Sequence, residues 1–192
     1  VIRRVESRGN NLNRIAIAND ISRRFCEGKI SLEEAYKELQ QIETKQYRRA
    51  LYNIATVCIC GGFAPLFNGG WLEVAGASAA GAVLALIVTI GKKLKIQGFI
   101  QDVLSSFGLA LMAIFLKRQF PAMNMDTVII SGIMPLVPGV AITTAIRDTL
   151  QGDYLSGCAR ILEAFLCAVS VALGVALAMA ATGIMGTGGV VL

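Results

Sequence analysis

Hydrophobic and polar positions follow two regimes along this chain. In NNLNRIAIANDISRRFCEG, Leu12, Ile15, Ile21 and Phe25 recur at near-helical spacing, and Gly28 stands where a helix would stop. In SLEEAYKELQQI, Leu32, Ala35, Tyr36, Leu39 and Ile42 line one face, and Ser31 with Glu34 has the spacing of a capping box. The pattern predicts two short amphipathic helices joined at Gly28-Lys29-Ile30, a hairpin within residues 1–48 that is too short and polar to cross a bilayer.

From Arg49 onward the pattern is long apolar runs. Five of them, roughly Ala50–Phe67, Trp71–Ile90, Phe99–Leu116, Thr127–Ile146 and Ile161–Thr182, approach the length that spans hydrocarbon, which takes about 20 helical residues for about 30 Å. The fold class expected is all-α: a polytopic membrane protein with five transmembrane helices, residues 49–192, preceded by the cytoplasmic helical region, residues 1–48.

Composition agrees. The chain is 55% hydrophobic and 16% charged, with mean hydropathy +0.62, which leaves too little polar surface for a soluble domain of 192 residues. Its charge is segregated: ten of eighteen Lys and Arg precede Arg49. Placing the N-terminus in the cytoplasm puts sixteen basic residues inside and two outside, so the N-terminus is expected inside and the C-terminus outside the inner membrane. The basic residues are interleaved with acids and lack an aromatic stripe, so no nucleic-acid partner is expected. There is no histidine, and the five cysteines form no CxxC pair. No metal, cofactor or enzyme activity is therefore expected, and the cysteines read as small hydrophobes.

Two spans carry small-residue patterns. Ala164, Ala168, Ala172, Ala176 and Ala180 repeat every four residues, and GASAAGA surrounds Gly76 and Gly81. Such ridges let membrane helices approach closely, within the chain or against a partner.

The fourth span is interrupted by PLVPG. Pro135 and Pro138 each remove a backbone donor, and Gly139 adds freedom, so two half-helices are expected, the second starting at Pro138. Broken spans persist where they face protein or a hydrated cavity, and the positive end of a half-helix receives carboxylates near the midplane. Pro138, Gly139, Thr143, Thr144, Arg147 and Arg160 are accordingly the candidate substrate-binding residues. Pro65 in the first span is a weaker echo of the same interruption. Among carboxylates, Glu73, Asp102 and Asp126 fall near span ends and read as solvated. Asp148 and Asp153 fall in an inner linker, where Asp153 stands ready to cap the last span. Glu163 lies inside the last apolar run, three residues after Arg160: either the two pair, or Glu163 with Asp148 or Asp153 carries a coupling proton.

PLVPGVAITTAIRDTLQGDYLSGCARILEA, together with RRVESRGNNLNRIAIANDISRRFCEGKISLEEA and the five spans, resembles the N-terminal module of the threonine/serine exporter family, and its small single-module relatives implicated in succinate export. The resemblance implies a proton-driven secondary transporter, or half of one, exporting small carboxylate-bearing metabolites. Threonine and serine come first among them, with succinate export or a purely structural membrane subunit as alternatives. It also implies a second small multi-span subunit of the same family, and an oligomer.

Overall fold

The computed structural model describes residues 12–42 and 49–183, and every statement of structure below concerns these residues. The chain divides into two compact units, Val1–Tyr47 and Arg48–Leu192. The first holds α1 (Leu12–Cys26) and α2 (Leu32–Gln40). Gly28, at φ +70°, turns the chain out of α1. Ser31 and Glu34 close the capping box: the Ser31 amide donates to Glu34 Oε2 at 2.9 Å and the Glu34 amide to Ser31 Oγ at 3.2 Å. Arg24 of α1 donates to Asp20 at 3.0 Å and to Glu38 of α2, its Nη1 lying 3.3 Å from Oε1. Ile21 and Ala35 are buried, whereas Ile15, Phe25, Leu32, Tyr36 and Leu39 are exposed.

The second unit is a helical bundle in which four helices are long and apolar enough to cross a membrane. They are α3 (Arg49–Phe63, continued by a 3₁₀ turn to Phe67), α4 (Trp71–Lys93), α5 (Gly98–Gln119) and α8 (Tyr154–Ala181). A bent pair, α6 (Met125–Ile133, with a 3₁₀ turn over Met134–Leu136) and α7 (Gly139–Leu150), bent by 58°, is long and apolar enough for a fifth crossing when its two halves are taken together. The sequence-based spans match these elements, with one informative exception. The residues between Arg147 and Arg160, expected to be a linker, are helical except for the turn Gln151–Asp153. Hydropathy placed the boundaries where charge begins, but α7 and α8 carry their charges on helical turns that face one another.

α4 is the centre of the bundle. Its GASAAGA segment buries Gly76, Ala77, Ala80 and Gly81. Gly81 lies against Cys60 and Val57 of α3, and Gly76 against Met123 and Val128. With lipid outside and no hydrophobic drive between helices, such backbone approach is what packs them. Glu73 ties one end of the bundle: it accepts from the Gly70 amide at 2.8 Å and from the Asn124 amide at 2.9 Å, joining α4 to the loop before α6. Asn124 in turn caps α6 by accepting from the Asp126 and Thr127 amides.

Two expectations about packing change. The buried seam of α8 is Ala164, Val171, Gly174 and Ala178, while Ala168, Ala172 and Ala180 of the alanine ridge are exposed. A strict four-residue repeat drifts around a helix of 3.6 residues per turn, whereas alternating steps of three and four hold one face. Pro65 does not break the first span midway. It closes the span as a 3₁₀ turn, after which Asn68 takes a left-handed conformation at φ +58°.

Candidate functional site

Pro135 lies in the 3₁₀ turn, Val137 is extended, and Pro138 takes the N-cap position of α7 with Gly139 as its first helical residue, one place later than the proline pattern suggested. Locally the chain satisfies what it can: the Val137 amide donates to Met134 O at 3.2 Å, and the Gly139 amide to Val137 O at 2.8 Å. The α7 ladder begins with the Ile142 amide to Pro138 O at 3.0 Å. The amides of Val140 and Ala141 precede that first ladder bond, at the positive end of α7. A side chain at Gly139 would meet nothing within 4 Å, so the chain is open at the first residue of α7. On the other side of the break, the Leu136 carbonyl accepts from the Cys167 thiol of α8 at 3.3 Å.

The residues singled out from the sequence fall into two groups. Thr144, Asp148 and Arg160 come together. Arg160 Nε donates to Asp148 Oδ2 at 3.0 Å, Arg160 Nη1 reaches Thr144 Oγ1 at 3.4 Å, and Ser156 Oγ donates to the same Asp148 oxygen at 2.7 Å. The α7–α8 turn makes this pairing possible. Gly157 packs on Thr149 and on the Ala145 carbonyl, a crossing at which a Cβ would displace the Thr149 hydroxyl and crowd two backbone atoms. Arg160 therefore pairs with Asp148 across the turn, not with Glu163 along its own helix.

The others stand apart. Arg147 precedes Asp148 and projects about 100° around α7 from it, exposed. Thr143 spends its hydroxyl proton on the Gly139 and Val140 carbonyls, at 3.0 and 3.1 Å. Asp153 occupies the N-cap position of α8 but makes no side-chain cap, its carbonyl alone accepting from the Gly157 amide at 2.9 Å. Glu163 is exposed, one helical turn before Cys167.

A second polar centre was not singled out from the sequence. Asp102 of α5, which read as a solvated span end, is half-buried and faces the middle of α8, its Oδ2 3.5 Å from Cys167 Sγ. Ser105, one turn along α5, is fully buried, and its hydroxyl has no hydrogen-bond partner. The next residue on that face, Leu109, fills the space over Gly132 of α6, just before the break. The stripe Asp102, Ser105, Ser106 at helical spacing was the available signal.

The space directly beside Pro138 is not the hydrated chamber that the broken span suggested. It is a groove of about 510 Å³ whose walls include Ile129, Ile133, Leu136, Val171 and Met179. α6 and α8 turn their aliphatic stripes towards each other there, so the polar groups gather on the α5 and α7–α8 sides of the break instead. No three Cys, Asp or Glu side chains come together as metal ligands among the described residues.

Comparison with known proteins adds identity to this geometry. No solved structure matches the chain. It is similar to a Mycobacterium tuberculosis protein named "Probable threonine/serine exporter", with 19% identity over 181 residues; the match covers 93% of this chain and 34% of that protein, so the chain spans about a third of the relative's length. A family model described as "ThrE: Putative threonine/serine exporter" matches residues 1–182. The chain, a multi-pass membrane protein, belongs to the threonine/serine exporter family.

Proposed function

We propose that this chain is one module of a proton-coupled exporter of threonine and serine, working by alternating access about the α6–α7 break, with its N-terminus in the cytoplasm and its C-terminus outside. The observation that carries the reading is the break itself: the unladdered amides of Val140 and Ala141, at the positive end of α7, where the chain is open at Gly139, suit a substrate carboxylate. Thr143, Thr144 and Arg147 line the same helix.

Arg160 is engaged by Asp148 at 3.0 Å, so a substrate carboxylate must compete with Asp148 for it. Protonating Asp148 removes that competitor and releases the guanidinium, which links proton uptake to substrate binding through one ion pair. Asp153 and Glu163, both exposed on or beside α8, are the further groups through which a proton would pass. The exposed alanine ridge of α8 supports a second multi-span subunit, as does the greater length of the mycobacterial relative.

Proteoliposomes test this reading. The chain, alone and with its neighbouring membrane subunit, is offered threonine, serine and succinate, with and without an imposed pH gradient. Gradient-dependent movement of threonine and serine that needs the second subunit and is lost in Asp148→Asn is the expected result. Assembly of the complex that depends on this chain, with transport intact in Asp148→Asn, Glu163→Gln and Pro138→Ala, would make the chain a structural subunit instead.

A further inference from the structure

Away from the break, α3 and α4 leave a groove of about 350 Å³ between them, whose walls include Asn53, Val57 and Cys58 of α3 and Ala82, Ala85 and Leu86 of α4. The two helices run antiparallel there. Gly81 lies against Cys60, Thr89 Oγ1 lies 3.1 Å from Asn53 Oδ1, and Lys92 Nζ stands 4.6 Å from the centre of the Tyr52 ring. Each helix therefore carries a stripe that passes from apolar to basic in steps of three or four residues: Val57, Asn53, Arg49 on α3, and Ala82, Ala85, Thr89, Lys93 on α4. Both basic ends meet at one end of the groove.

Arg49, Lys92, Lys93 and Lys95 stand there, all exposed, and none pairs with a carboxylate among the described residues. Lys117, by contrast, spends its ammonium on the Pro121 and Met123 carbonyls, at 2.8 Å each. The helix dipole accounts for lysines at the negative end of α4, but it disfavours Arg49 at the positive end of α3. Lys95 takes φ +54°, a left-handed conformation that glycine or asparagine adopts more readily, so a cation is kept where the backbone favours another residue. The Asn53 amide nitrogen donates to no group among the described residues. An apolar groove thus ends in uncompensated positive charge and an unused donor.

We infer that the α3–α4 seam is a binding site for an anionic phospholipid, with one acyl chain in the groove and the headgroup phosphate among Arg49, Lys92 and Lys93. The chemistry matches part for part. Aliphatic walls take the chain, the Asn53 amide meets the ester oxygens at the glycerol level, and the cations neutralise the phosphate. Contact with the Tyr52 ring holds Lys92 at the seam. A zwitterionic phospholipid brings its own cation to the same place and forfeits the gain. A lipid seated there joins α3 to α4 beyond their contact at Thr89 and Asn53. The inference rests on the membrane-spanning bundle and holds whatever the module exports.

The test uses the full chain in phosphatidylcholine nanodiscs containing a trace of phosphatidylglycerol, or of phosphatidylcholine, that carries a diazirine midway along one acyl chain. After photolysis, labelled peptides are located by mass spectrometry. Phosphatidylglycerol is expected to label residues 53–58 and 82–86 at least about tenfold more than the phosphatidylcholine probe does, each cation near the phosphate being worth about fivefold. Changing Lys92→Gln and Lys93→Gln together is expected to narrow that preference to less than about threefold, whereas Lys92→Arg with Lys93→Arg keeps it. All four substitutions lie on exposed side chains, so the fold is retained. Ala82→Leu, which fills the groove and leaves the cations in place, is expected to remove the label from both segments. Equal labelling by the two probes, phosphatidylglycerol label spread evenly over the bundle, or an undiminished preference in the paired glutamine variant would each overturn the lipid site. Oxidative cross-linking of Cys58 between two copies, with no lipid label in the groove, would overturn it too and assign the seam to a second copy of the chain.

Discussion

Arg160 of α8 donates to Asp148 of α7 at 3.0 Å, and the Ser156 hydroxyl donates to the same carboxylate oxygen at 2.7 Å. The pair closes a helical turn of only three residues, Gln151–Asp153, whose partners approach within the reach of Gly157. Both side chains remain partly exposed, at 39% and 21%, so the pair is worth a modest amount in stability. Either single change, Asp148→Asn or Arg160→Gln, is expected to cost about 1 kcal/mol or less, with a double-mutant cycle showing coupling of similar size. Thermal unfolding in detergent reads it. Full additivity of the two changes would show that the contact contributes nothing.

Glycine positions offer a sharper contrast. A Cβ at Gly157 would run into Thr149 Oγ1 and stand 3.2 Å from both the Ala145 carbonyl and the Thr149 amide, of which the last two are backbone and do not yield. Gly157→Val is therefore expected to destabilise by about 1–3 kcal/mol. Gly62, in the last turn of α3, has nothing within 4 Å of its would-be Cβ. There Gly62→Ala is expected to be neutral or to stabilise by up to about 1 kcal/mol, through helix propensity alone. Comparing the two melting temperatures checks both numbers, and a Gly157→Val protein that melts like the unmutated one would contradict the observed helix crossing.

The capping box of α2 makes a prediction about acid. The Ser31 amide and hydroxyl hold the Glu34 carboxyl below its ordinary value of 4.5. A carboxylate whose folded-state pKa is depressed stabilises the fold above its unfolded pKa, and that contribution is lost as pH falls through the folded value. Fraying of α2 is thus expected below about pH 4.5, and Ser31→Ala should move the Glu34 titration up towards the unfolded value. Carbon-detected NMR of the Glu34 carboxyl follows it directly. A titration midpoint unchanged by Ser31→Ala would mean that the Ser31 amide, which alanine keeps, sets the shift without the hydroxyl.

How much of this was legible in the sequence depends on what kind of signal each feature leaves. The spans, the capping box and the break leave strong local signals, because apolar length, Ser-x-x-Glu spacing and paired prolines each constrain the backbone where they stand. Charge partners leave none. Arg160 has a carboxylate three residues away on its own helix and another twelve residues away on a different one; only the turn at Gln151–Asp153 decides that Asp148 is the partner. Asp102 was discounted because it lies three residues from the expected start of its span, as though depth followed from counting. Depth here follows from α8, which begins seven residues earlier than hydropathy suggested and brings Cys167 against Asp102. The alanine ridge is ambiguous for a related reason: small residues mark faces that can be packed without saying against what, and the chain packs a largely different face of α8 itself.

The break supplies the last prediction. Pro135 and Pro138 keep Leu136 out of the helical ladder, and with it the carbonyl that Cys167 contacts. Replacing both by alanine restores two backbone donors and removes two ring clashes, each proline costing about 3 kcal/mol in a continuous helix. The healed span is expected to straighten from its 58° bend, to unfold at higher temperature, and to transport at a small fraction of the unmutated rate. Cysteine reactivity offers an independent readout, because the Cys167 thiol loses an acceptor when Leu136 O turns back into the ladder, and its alkylation rate should change accordingly. A straightened, more stable protein that still transports at full rate would mean that the break only shapes the bundle, and that substrate crosses elsewhere.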